Sequence, residues 1–88
     1  MGHSRPRPKH LAAKLLQIRR DFGISQAAMV KRLGLGKPYD DSFISKYELD
    51  KNEPTLMVLL AYARVAGVPV ETLIDDQLDL GVTGKTEK

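Results

Sequence analysis

Residues 24–63 read ISQAAMVKRLGLGKPYDDSFISKYELDKNEPTLMVLLAYA, and the order of signals in this stretch decides the fold. Ser25 is a good N-cap, and Met29, Val30 and Leu33 behind it share one face of a short helix that Gly34 stops. Gly36 and Pro38 make Leu35 to Asp40 a loop. Asp40 or Asp41 then caps a second short helix over 42–49, with Ile44 and Tyr47 on its inner edge and Ser42, Ser45, Lys46 and Leu49 on its other faces. A polar turn, DKNEP at 50–54, leads to Thr55, which caps an apolar helix from Leu56 to Ala66 that Gly67 ends. Its expected inner set is Leu56, Leu59, Leu60, Ala63 and Ala66.

Outward from this stretch the pattern stays helical. Leu11, Leu15, Ile18 and Phe22 recur at spacings of three and four, which predicts a helix from about Lys9 to Phe22 with Gly23 at its end. Pro69 suits the first turn of a short fifth helix that packs through Val70, Leu73 and Ile74. No segment alternates as a strand would, so the chain reads as all-α, with one domain over 9–76. Pro6 and Pro8 exclude a helix from residues 1–8, which read as a flexible basic arm, and residues 77–88 read as a frayed tail.

The 88 residues are 42% hydrophobic, enough for one small core, and contain no cysteine for a disulfide or thiolate site. The longest apolar run, Leu56 to Ala63, is too short to span a bilayer, and no apolar segment follows the basic start as a signal peptide requires. A cytoplasmic address is therefore expected. Net charge is +3, but its distribution says more. Residues 1–20 hold six bases and no acid, whereas residues 71–80 hold four acids and no base. The basic end would attract a polyanion, although two solvated surfaces of opposite sign would show the same pattern.

The pieces IRRDFGISQ, KRLG, SFISKYE and EPTLMVLLAYARVAGVPVETLI, in this order over residues 9–75, resemble the Cro/phage-repressor-type helix-turn-helix domain of the XRE family. The resemblance implies a five-helix, lambda repressor-like fold that binds double-stranded DNA as a homodimer, with helix 3 in the major groove and helix 2 bracing it. By position, Gln26 matches a glutamine that binds phosphate and orients helix 3, and Ser42, Ser45 and Lys46 match positions facing base edges. Lys51 and Asn52 match a turn that meets phosphate, and Arg19 and Glu48 match a basic–acidic pair bridging helices 1 and 3. Two departures stand out. The connection from Gly34 to Ile44 is about four residues longer than the family pattern, which adds Lys37, Tyr39 and two acids near the groove and would either reposition helix 3 or add a backbone contact through Lys37. Val30 replaces a common alanine, so helices 2 and 3 should spread slightly unless the longer turn absorbs the difference.

Lys14, Lys31 and Arg32 also lie in elements expected near a duplex, and Arg5 and Arg7 sit on an arm able to enter a minor groove. Helix 3 has no Arg, Asn or Gln for a bidentate base contact, so direct readout should be modest and backbone and DNA-shape terms large. Phe43 either packs on Tyr39 or meets a thymine methyl, Tyr47 belongs in the core, and Tyr62 is expected part-buried with its hydroxyl at the surface. Leu73, Ile74, Leu78 and Leu80 are candidates for the dimer contact, or else for core packing (Leu73, Ile74) and disorder (Leu80).

Other chemistry finds little support. GVTGKT at 81–86 lacks the glycine spacing and flanking elements of a phosphate loop. The two histidines, His3 and His10, have no acid near them in the first twenty residues, so no metal or other cofactor is expected. Asp75 and Asp76 read as solvated charge, and no nucleophile–base set suggests an enzyme. The leading reading is a prokaryotic or phage-derived transcription regulator, as a repressor. The rival is a protein-interaction module on the same fold, with the acidic C-terminal region holding a partner and Asp40, Asp41 and Asp50 repelling phosphate.

Overall fold

Local capping chemistry sets the elements of the computed structural model, which describes residues 8–80. Five helices follow one another: α1 Leu11–Phe22, α2 Gln26–Leu33, α3 Asp41–Glu48, α4 Leu56–Ala66 and α5 Val70–Ile74. No strand occurs among the described residues. Ser25 Oγ accepts from the Ala28 N–H at 3.0 Å, and Thr55 Oγ1 accepts from the Val58 N–H at 3.3 Å. The choice left open at α3 falls to Asp40, whose carboxylate accepts from the Ser42 N–H. Gly34 ends α2 at φ 75°, in the left-handed region that glycine enters without a Cβ penalty. At the end of α3 the same region is taken by Asp50 at φ 60°, a residue type that tolerates it.

The core gathers one face of each helix: Leu11, Leu15 and Ile18 of α1, Met29, Val30 and Leu33 of α2, Ile44 and Tyr47 of α3, and Leu73 of α5. From α4 the buried residues are Val58, Leu59, Tyr62 and Ala63. This corrects the expected inner face of α4. Leu56 is 81% exposed: at the first helical position it lies at the flank of the arc that Val58, Leu59, Tyr62 and Ala63 turn inward, with no preceding turn of helix beside it. Tyr62 is fully buried, hydroxyl included, rather than reaching the surface. Burial first, and the Glu48 carboxylate second, push its phenol far above the ordinary range. Val30 is accommodated within the core cluster beside Leu33, while Leu35 and Tyr39 of the long turn pack against that cluster.

The two ends of the domain are closed by side chains whose roles were misread from sequence. Lys14 is only 6% exposed and makes no surface for a phosphate. Its ammonium donates to the carbonyls of Thr72 at 2.7 Å, Leu78 at 2.9 Å and Asp75 at 3.1 Å. A buried ammonium is tolerable because all three of its protons find acceptors, the Thr72 and Asp75 carbonyls at the end of α5 and the Leu78 carbonyl beyond it. Asp76, in turn, is not free solvated charge. Its carboxylate accepts from the Lys9 and His10 N–H groups at 2.9 and 3.1 Å. These are amides just ahead of α1, which starts at Leu11 rather than Lys9 and has no side-chain cap of its own. The chain beyond residue 76 also packs: Leu80 is buried and belongs to the core cluster. The arm residues Arg5 and Arg7 and the 81–86 segment lie outside the described residues.

Two outcomes follow from this closure. Lys14→Met strands three carbonyls, and thermal melting should show a loss of about 2 kcal/mol, or ~10 °C for a domain of this size. The backbone donors of Lys9 and His10 hold the Asp76 carboxyl below its ordinary value of 3.8. A depressed folded value adds stability above the unfolded value and loses it as pH falls. Asp76→Ala should therefore melt below the wild type at pH 7, and the gap should close as pH drops under about 4.

Candidate nucleic-acid interface

A single buried carboxylate organises the site. Glu48, at the end of α3, has a side chain only 4% exposed, against 19% for Arg19. Arg19 of α1 donates to it through two nitrogens, Nε to Oε2 at 2.7 Å and Nη2 to Oε1 at 3.0 Å. The third nitrogen, Nη1, donates to the Ile24 carbonyl at 3.0 Å and so ties down the α1–α2 connection. Gln26, the first residue of α2, donates its Nε2 to Glu48 Oε1 at 3.0 Å. Three helices thus converge on one carboxylate. Hydrogen bonding to Glu48 raises the Arg19 guanidinium above its ordinary value.

With Ile44 and Tyr47 turned into the core, the opposite face of α3 is left outward. Ser42, Ser45, Lys46 and Leu49 lie at i, i+3, i+4 and i+7, one stripe of a helix. They line a concavity together with Gln26, Asp41 and Lys51. Ser42 is not a neutral surface hydroxyl. It donates its proton to Asp40 Oδ1 at 2.6 Å, so toward solvent it presents lone pairs. That hydrogen bond, more than any other influence, holds the Asp40 carboxyl below its ordinary value.

The remaining expected residues stand apart from this stripe. Phe43 packs on Tyr39 with ring centroids 4.9 Å apart and planes tilted by 59°. Both rings line a second concavity on the other flank of α3, with Asn52, while Lys51 borders both. Lys37 is exposed on the long turn, which a Tyr39 N–H to Gly36 carbonyl bond closes at 3.0 Å. The Arg32 guanidinium lies 4.7 Å from the centroid of the Phe22 ring, so this cation stacks on α1. The sequence reading gave Leu49 and Asp41 no place in the site, although the i+7 relation of Leu49 to Ser42 was visible.

A family model described as a helix-turn-helix domain matches residues 12–77. The chain belongs to this family, in its XRE/Cro-like branch. The match begins inside α1 and runs through α5, so it includes both helices of the α2–α3 motif and the Glu48 network. Comparison with curated proteins, and with solved structures, gave no match. Helix-turn-helix domains are DNA-binding modules, and the all-α, five-helix architecture is that of the lambda repressor-like fold. No helix among the described residues is long and apolar enough to cross a membrane, and no cluster of metal-ligating side chains occurs among them.

The network makes its own prediction. Glu48→Ala leaves the Arg19 guanidinium part-buried without its partner and releases Gln26. The expected loss is about 3 kcal/mol in chemical denaturation, since breaking a buried pair from one side strands a charge. An unfolding curve superimposable on that of the wild type would show that Glu48 does not join the helices.

Proposed function

We propose that the protein is a sequence-specific transcription regulator, a prokaryotic cytoplasmic repressor, that lowers α3 into the major groove as a homodimer on a two-fold site. The observation that carries this reading is the open outward stripe of α3. Ser42, Ser45 and Lys46 stand on it side by side, and Gln26 and Lys51 border the same concavity. Lys46 offers three donors to guanine O6 and N7, and Ser42, acceptor-only toward solvent, suits the amino group of cytosine or adenine. The Gln26 amide has a second proton beyond the one given to Glu48, and in this reading it goes to a phosphate while Glu48 fixes the side chain. Lys51, Asn52 and Lys37 add backbone contacts at the rim, and Arg5 and Arg7 of the arm add a minor-groove reach.

Self-association draws on the exposed apolar side chains. Leu73 is committed to the core, which leaves Ile74 and Leu78, together with Leu56 at 81% and Met57 at 71% exposure on the first turn of α4. Two copies would present α3 to half-sites about 34 Å apart. Two acids of the rival role, capture of a protein partner, also serve the fold: Asp40 caps α3 and Asp76 holds the start of α1.

Random-site duplex selection followed by anisotropy titrations in a salt series tests the proposal. A two-fold consensus and affinity falling steeply with salt are expected. Lys51→Ala should weaken all duplexes alike and flatten the salt slope by about one unit, whereas Lys46→Ala should relax preference at one position by about 1–3 kcal/mol. Unselective binding, or unchanged affinity in Lys46→Ala and Gln26→Ala, would sink it.

A further inference from the structure

The outward stripe of α3 ends in an apolar side chain. Leu49 is 61% exposed, while Ile44 and Tyr47 already fill the core side of the helix. A lone exposed leucine is ordinary on a protein surface and by itself means nothing. This one lies seven residues on from Ser42 on the same stripe, and it shares a concavity whose other lining side chains, Gln26, Asp41, Ser45, Lys46 and Lys51 among them, are all polar. An apolar group there disturbs the hydration of its neighbours unless the ligand brings an apolar surface to cover it.

A major groove has one such surface, the C5-methyl group of thymine. We propose that Leu49 is a specificity-determining residue whose methyl groups pack on the 5-methyl of one thymine in each half-site. The inference rests on the placement of α3 in the major groove proposed above. Seven residues of helix advance about 10 Å, close to three base-pair steps of ~3.4 Å. The thymine is therefore expected about three base pairs from the pair that Ser42 reaches. Lys46, between them on the stripe, faces the intervening pairs. The contact is apolar and contributes base preference without adding to the salt dependence that the lysines set.

Deoxyuridine differs from thymidine only by the missing methyl. Each thymine of the selected consensus is replaced by deoxyuridine in turn, and affinity is measured at one salt concentration for the wild type and for Leu49→Ala. The expected result is one position per half-site where the methyl is worth on the order of fourfold to the wild type and nothing to the variant. Leu49→Ala should melt like the wild type, because the side chain is exposed. Three results overturn the assignment: thymines whose methyls do not matter, a methyl effect that persists unchanged in Leu49→Ala, or a variant that alters subunit association but not base preference. Those results leave the regulator reading intact. Failure of the wild type to select any consensus removes that reading and the role of Leu49 with it.

Discussion

One carboxylate on the last turn of α3, that of Glu48, holds this helix in place. Its two oxygens receive three hydrogen bonds, two from the Arg19 guanidinium on α1 and one from the Gln26 amide on α2. A charge that is almost wholly buried is stable only when its lone pairs are matched, and here the matching groups come from the two helices that brace α3. The planar fork of arginine suits this work, because it meets both oxygens at once and still reaches the Ile24 carbonyl. The orientation of α3 is therefore set at its C-terminal end by ionic geometry and along its length by Ile44 and Tyr47. Its N-terminal end is set by the Asp40 cap and the Tyr39–Phe43 contact of the long turn.

The domain is closed in a comparable way at the junction of its ends. Lys14 on α1 reaches carbonyls at and beyond the end of α5, and Asp76 after α5 reaches the open amides before α1. Each helix end thus satisfies the polar groups the other leaves unmatched, and the unlike charges sit where the local backbone dipoles favour them. This exchange moves charge out of the electrostatic tally that sequence suggests. One lysine of the basic segment and one aspartate of the acidic segment are structural, and the cations left to face a polyanion are fewer than the composition implies.

Helix number, helix order and the inner faces of α1, α2 and α3 were readable because each depends on near neighbours in the chain. Ser25 and Thr55 cap the helices they precede, Gly34 and Gly67 end the helices they follow, and the apolar spacing in α1 returns as Leu11, Leu15 and Ile18 in the core. The α4 face was misjudged at Leu56 and Tyr62 for a physical reason. An uninterrupted apolar run such as LMVLLAYA has no polar side to reveal its phase, and packing against α2 and α5 chooses it. In the candidate site, resemblance aligned Arg19 with Glu48 and placed the outward serines and Lys46. Of the two places the sequence left open for Phe43, the ring contact with Tyr39 is the one found.

Contacts between distant segments lay beyond any local pattern. Lys14 meets Thr72 across 58 residues and His10 meets Asp76 across 66, and no periodicity encodes either pairing. Capping, glycine stops and amphipathic spacing act over three or four residues, so the amino-acid order alone was enough for the helices and the helix-turn-helix frame. Which charges face a ligand and which ones stitch the protein together is settled by burial and by the partners that buried charges must find. Only the packed chain, in which residues far apart in order share the same low-dielectric space, makes that choice.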